Sequence, residues 1–205
     1  MALRLNDDLS PAADDDGSSS AQLAQLKRDL LGGLPMEREV ALHRLVELRA
    51  EGVLVECLSS ENLIAAQLAT AGLWECWLNE QGPEARRVMD KGVACMNGGQ
   101  LEDALTIFGK LAVKYPEWAE AHNKQATVLY LLGNARGSLR VCEEVVRLKP
   151  NHFGAWNGMA LCAAQLEKWE ITLRAAKKAL RLQPTALANH DLIHLAEAKL
   201  RGEAG

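Results

Sequence analysis

The chain has 205 residues, 48% of them hydrophobic and 24% charged, with a formal net charge of −4. It can bury a continuous core, and no uninterrupted apolar run approaches the roughly 18 to 20 residues that a membrane-spanning helix needs. Asp7, Asp8, Asp14, Asp15 and Asp16 against Arg4 give the first twenty residues −4 by themselves, so the rest is neutral. A neutral body without a basic stripe speaks against nucleic acid and anionic membranes as partners.

Residues 1–20 combine the Asp run with Gly17-Ser18-Ser19-Ser20 and have too little apolar area to offset the entropy of ordering. They are expected to be a disordered acidic tail. The same stretch carries no hydrophobic segment of the signal-peptide kind and is the reverse of an Arg-rich presequence, so the cytosol is the expected compartment unless a longer precursor carries organelle targeting. Five cysteines, Cys57, Cys76, Cys95, Cys142 and Cys162, are odd in number and form no C-x-x-C pair. They read as small hydrophobes in a reduced protein.

Residues 21–83 read as an N-terminal helical segment. Leu23, Leu26, Leu30 and Leu31 recur at helical spacing until Gly32-Gly33 and Pro35 end the stretch, and a second helix is expected from about Met36 to Ala50. The short segment GVLVECLSS follows as a connection. A third helix is expected from about Asn62 to Leu78, with Leu63, Ala66, Thr70, Trp74 and Trp77 on one face, so that both indoles cap the following repeat or form a partner face. Gln81-Gly82-Pro83 breaks the chain.

From there Pro116, Pro150 and Pro184 stand 34 residues apart, and small and apolar residues recur in register around them. Between about 85 and 118 the pattern is Val88, Lys91-Gly92, Cys95, Gly99, Ala104-x3-Phe108, Pro116. Over 119–152 it is His122, Gln125-Ala126, Leu129, Gly133, Ser138-x3-Cys142, Pro150, and over 153–186 it is Trp156, Met159-Ala160, Ala163, Glu167, Thr172-x3-Ala176, Pro184. A period of this length marks a stacked array of helical hairpins. Gly99 and Gly133 permit tight turns inside the hairpins, and Glu167 in the equivalent place predicts a looser third turn. A capping helix over 187–201 is expected to close the array.

This pattern resembles the tetratricopeptide repeat (TPR). The resemblance implies an all-α fold, a right-handed superhelix of antiparallel helix hairpins, with the first helix of each pair lining a concave binding groove. On that alignment the groove receives Arg86, Met89, Val93, Met96 and Asn97 from the first repeat, Glu120, Asn123, Thr127, Tyr130 and Leu131 from the second, and Asn157, Leu161 and Gln165 from the third. Asn123 and Asn157 are register-equivalent amides able to pair with a peptide backbone. TPR proteins that bind acidic heat-shock tails carry a Lys, Asn and Arg clamp. Here its first-repeat positions hold Met89 and Val93, its third-repeat positions Gly154 and Gly158, and an amide remains only at Asn123. A groove without that clamp, formed around Met89, Met96, Tyr130 and Leu161, is expected to take a segment with hydrophobic anchors.

No phosphate-binding or esterase motif occurs. His190-Asp191-Leu192-Ile193-His194 puts two histidines on one helical turn, a faint likeness to the H-E-x-x-H metal motif that lacks both its Glu and a third ligand. The expected function is a non-enzymatic adaptor with no cofactor or metal and a protein or peptide partner. The alternatives are a helical-repeat RNA binder, a metal-dependent hydrolase on His190 and His194, and helices that serve self-association.

Overall fold

The computed structural model describes residues 15–202, and within them the chain is helical throughout, with eleven helices and no strand. Four form the N-terminal part: α1 (Asp15–Gly32), α2 (Pro35–Glu47), α3 (Glu51–Cys57) and α4 (Leu63–Leu78). Six more form antiparallel pairs: α5 (Gly82–Asn97) with α6 (Leu101–Lys114), α7 (Ala119–Leu131) with α8 (Ala135–Leu148), and α9 (Phe153–Gln165) with α10 (Trp169–Leu182). The last, α11 (Ala188–Arg201), packs on α10 and α9.

Two expectations for the N-terminal part need correction. Residues 15–20 belong to α1 and not to a tail, while residues 1–14 of the expected acidic tail lie outside the described residues. Once the amphipathic turn around Leu23, Leu26 and Leu30 exists, adding residues upstream costs little, because nucleation and not propagation is the expensive step. The segment GVLVECLSS is mostly the short helix α3. Burial of Leu54, Cys57 and Leu58 against α1 and α4 overrides its lack of a long periodic pattern.

The 34-residue period is visible in backbone hydrogen bonds. The N–H groups of Gln100, Asn134 and Lys168 donate to the carbonyls of Cys95, Leu129 and Ala163 at 2.9, 2.8 and 2.9 Å, closing the three hairpin turns alike. Gly99 and Gly133 adopt φ of 76° and 79° to do so, and Glu167 adopts 57°. The third turn is therefore as tight as the other two, contrary to the expectation from its side chain. The two-helix packing imposes the left-handed backbone, at a cost of about 1 kcal/mol for a residue with a Cβ.

The helix crossings also keep the register while their sizes change. Gly92 faces Phe108 so closely that a Cβ on Gly92 would lie 2.5 Å from the ring, whereas the equivalent pairs are Ala126 with Cys142 and Ala160 with Ala176. A large residue is accommodated by a missing one, which conserves the volume of the crossing. His122 Nε2 and Trp156 Nε1 occupy equivalent positions, and each lies 2.9 Å from the carbonyl oxygen of the proline that opens its hairpin, Pro116 or Pro150. His190 takes the same register position in α11 and is exposed.

Candidate functional site

The N-terminal helices do not stand apart from the array. Helix α4 starts from Asn62, whose side chain accepts from the N–H groups of Ile64 and Ala65, and it runs past all three proline joints. At the first joint, Trp118 Nε1 donates to the Trp77 carbonyl at 2.7 Å. At the second, the Trp77 indole stacks on the His152 imidazole with centroids 4.2 Å apart and planes 20° apart, and Trp74 meets Phe153 edge-on at 5.1 Å. At the third, Gln183 Nε2 reaches Thr70 Oγ1 at 3.5 Å. Trp77, Phe153 and Leu182 belong to one buried cluster with Leu45, Leu54 and Leu73. The two indoles thus pack over the joint between the second and third hairpins, while the first joint is held through the Trp77 backbone carbonyl.

Charges follow the same contact. Lys149 Nζ lies 3.0 Å from Glu51 and 3.2 Å from Glu80, and Arg86 pairs with Glu75 of α4 at 2.9 Å and with Asp90 at 2.8 Å. Lys124 Nζ sits 5.1 Å from the Trp74 ring centroid. Beneath α4, Glu120 is fully buried. Its Oε2 accepts from His152 Nε2 at 2.9 Å and from Asn123 Nδ2 at 3.1 Å, and Lys124 Nζ lies 3.0 Å from Oε1. Burial pushes this carboxyl up, but the His152 hydrogen bond and the Lys124 charge outweigh it and hold it below the usual carboxylate range. His152 Nδ1 accepts the Ala155 N–H at 3.1 Å, so the network assigns the ring N–H that faces Glu120 to Nε2.

These contacts divide the expected groove residues. Met89 and Glu120 are fully buried and Asn123 is 6% exposed, so the first two line no groove and the third shows only an edge. Met89 packs against Phe108 and Trp118, because a first-helix position that faces the groove in isolation is covered once the hairpins stack. Arg86 is committed to Glu75 and Asp90, and Val93 and Met96 lean on the same first-hairpin core. Asn97 and Gln165 are exposed at the far ends of α5 and α9, as is Leu131 on α7.

Thr127, Tyr130, Asn157 and Leu161 do come together. With the edge of Asn123 they surround a recess of about 150 Å³ between α7 and α9, floored by Ser138, Cys142 and Gly158. Ser138 Oγ donates to the Ala126 carbonyl at 2.7 Å, and Cys162 Sγ donates to Ser138 Oγ at 3.1 Å, so the floor is internally bonded. A hydrogen bond with Cys162 and burial push the Cys142 thiol up, which leaves it protonated. Asn157 and Gly154 also border a second recess of about 320 Å³ whose wall is Trp74. The concave face is thus completed by α4, a helix outside the repeat pattern.

Gly154 makes that possible. A Cβ there would lie 2.7 Å from the Trp74 ring, so only glycine admits the indole. Asn123 and Asn157, equivalent in sequence, differ in state: Asn123 donates to Glu120, whereas the Asn157 side chain has no hydrogen-bond partner among the described residues. Gly154 and Gln183 were not legible as site residues and Trp74 was legible only as a cap or partner-face candidate, since their role depends on a helix lying across three joints. His190 and His194 are both exposed on α11, and no group of three or more His, Cys, Asp or Glu able to hold a metal occurs among the described residues.

No protein-family model matches the chain. A curated TPR repeat-containing protein from Rhizobium etli is 30% identical over 99 residues, which is 48% of each chain. Among solved structures, the first TPR domain of Spaghetti (RPAP3) bound to the HSP90 peptide SRMEEVD aligns with a TM-score of 0.54 at 17% identity, over 56% of this chain and 90% of that one. MamA (residues 41 to the end) from Desulfovibrio magneticus RS-1 aligns with a TM-score of 0.53 at 23% identity, over 77% and 86%. The chain resembles TPR proteins in sequence over about half its length and in fold over more of it. Its fold is the TPR superhelix of antiparallel hairpins. The chain spans about half the length of the curated TPR relative it matches. No helix among the described residues is long and apolar enough to cross a membrane.

Proposed function

We propose that this protein is a non-enzymatic adaptor that holds an extended peptide or short helix of a partner protein in the concave face between α7 and α9. The three hairpins are assigned to residues 85–118, 119–152 and 153–186, with 187–201 as the cap. The observation that carries the reading is the recess in which Tyr130, Leu161 and the unpartnered amide of Asn157 meet. A ring, an aliphatic side chain and a free amide are what a peptide's anchor and backbone need. TPR folds act widely as protein-interaction modules, and the RPAP3 domain was solved with a peptide bound.

The ligand is not an acidic heat-shock tail. Met89 at a first clamp position is buried, and the Gly154 position is filled by the Trp74 ring, so neither offers a cation. The peptide SRMEEVD is expected to show no binding.

The test is a phage-displayed random peptide library selected on the full chain, followed by affinities on a Tyr130→Ala/Leu161→Ala variant. Selected peptides should lose at least about tenfold, or about 1.4 kcal/mol, with helicity unchanged. Unchanged affinities would overturn the groove assignment. A self-association reading has one observation in its favour, the exposed apolar face of Leu34, Met36 and Val40 at the start of α2. Light scattering on the wild type and on Met36→Glu/Val40→Glu decides it: a larger species that the variant abolishes supports it, and a monomer in both removes it.

A further inference from the structure

The second recess has a chemistry of its own. It lies where α4, α9 and the link into α11 meet, is about 320 Å³ in volume, and shares Gly154 and Asn157 with the recess assigned to the peptide. One wall is aromatic, formed by Trp74 and Phe153, and the others bring the amides of Asn157, Gln183 and Asn189. None of its lining residues is charged.

Asn189 supplies an independent sign of a missing partner. It is 1% exposed, its Nδ2 donates to the Ala186 carbonyl at 3.3 Å, and its Oδ1 is buried with no hydrogen-bond partner. A buried carbonyl left without a donor costs about 1–3 kcal/mol, which a ligand N–H recovers on binding. The recess does not favour a cation, since it lacks a carboxylate and Lys124 already sits by the Trp74 ring. It does not favour an anion, since no cationic side chain lines it. The remaining match is a neutral flat ring with a donor on its edge: the ring lies against Trp74 and Phe153, and the edge reaches the amides.

We infer that this recess is a specificity subsite for an indole-type side chain, so that the partner segment carries a tryptophan next to the anchor held at Tyr130 and Leu161. The inference rests on the groove reading for the rest of the peptide, but the subsite stands or falls by a separate measurement. Partner choice is then made partly by α4, because Trp74 forms the wall against which the incoming ring packs.

The test uses the ¹⁵N-labelled full chain titrated with N-acetyl-tryptophanamide, N-acetyl-1-methyltryptophanamide and N-acetyl-phenylalaninamide. The first should shift the side-chain amides of Asn157, Gln183 and Asn189 and the backbone amide of Gly154. Loss of the indole N–H by methylation should weaken that response at least tenfold, and the phenyl compound should do no better. Absence of shifts at these amides overturns the subsite, and so does an equal response to the methylated compound, which removes the donor pairing. Selected peptides that bind through Tyr130 and Leu161, with no response to the indole here, leave the groove reading intact and the subsite refuted. An indole response here with peptides indifferent to the Tyr130→Ala/Leu161→Ala variant refutes the groove reading alone.

Discussion

The face over α5 and the start of α7 and the face between α7 and α9 are built from equivalent positions of one repeat, yet the first is closed and the second is open. Over the first, Met89 and Glu120 are fully buried, and Arg86 is held by Glu75 of α4. Over the second, Asn157 and Leu161 remain partly exposed beside Tyr130. The contrast shows that a register position names a direction along the helix and not a degree of exposure. What lies above it decides, and here α4 lies above the joints but leaves the middle of α7 and α9 uncovered.

The largest expected effect comes from the side chain that joins the two parts. Trp77 is 1% exposed, stacks on His152 and donates from Nε1 to Glu51 at 2.9 Å. Trp77→Ala should cost about 3–5 kcal/mol in urea unfolding, with much of the loss felt as release of α4 from the array. A cost below about 1 kcal/mol would mean that α4 rests on the hairpins without bracing them, and the closed face would have to be redefined.

A smaller effect should come from the charge below α4. Glu120→Gln keeps the shape but weakens the bonds to His152 and Lys124, with an expected cost of about 1.5–3 kcal/mol at neutral pH. The sign with pH follows from the lowered carboxyl: its stabilisation is fully present above the ordinary value of 4.5 and is lost as pH falls below that through the folded value. Wild-type stability should therefore fall below pH 4.5 more steeply than that of the Gln variant. Parallel acid-unfolding curves followed by tryptophan fluorescence would show that Glu120 does not carry the closed face.

The smallest effect is a gain on the open side. Glu167→Gly should stabilise the chain by about 0.5–1 kcal/mol, since glycine takes φ of 57° without a Cβ clash. Gly133→Ala, at φ of 79°, should move thermal unfolding the opposite way and serves as the internal comparison. Peptide affinity should be untouched by Glu167→Gly, because Glu167 lies at the α9–α10 turn and outside both recesses.

Most of the array was legible because its signals are local. The prolines, the glycine turns and the small residues at Ala104, Ser138 and Thr172 each constrain a few neighbouring residues, and a fixed period adds them up. Five members of the open recess, Asn123, Thr127, Tyr130, Asn157 and Leu161, followed from the same register. Met89 and Glu120 did not, since the helix period identifies a face and cannot say whether a second element covers it. Glu167 failed for a related reason. Its preference against a left-handed backbone is worth about 1 kcal/mol, less than the packing of two helices that demands the turn.

Sequence alone therefore determined the helical hairpins, their period and the face each first helix presents, because these depend on hydrogen bonds and contacts a few residues long. Tertiary structure alone decided that α4 runs across three joints, that Gly154 admits the Trp74 ring, and that Asn123 is tied to Glu120 while Asn157 is free. Those outcomes depend on contacts such as Glu51 with Lys149 and Thr70 with Gln183, 98 and 113 residues apart in the chain. No local propensity encodes such pairs, and they form only when burial of Trp77, Phe153 and Leu182 in one core offsets the entropy of bringing them together.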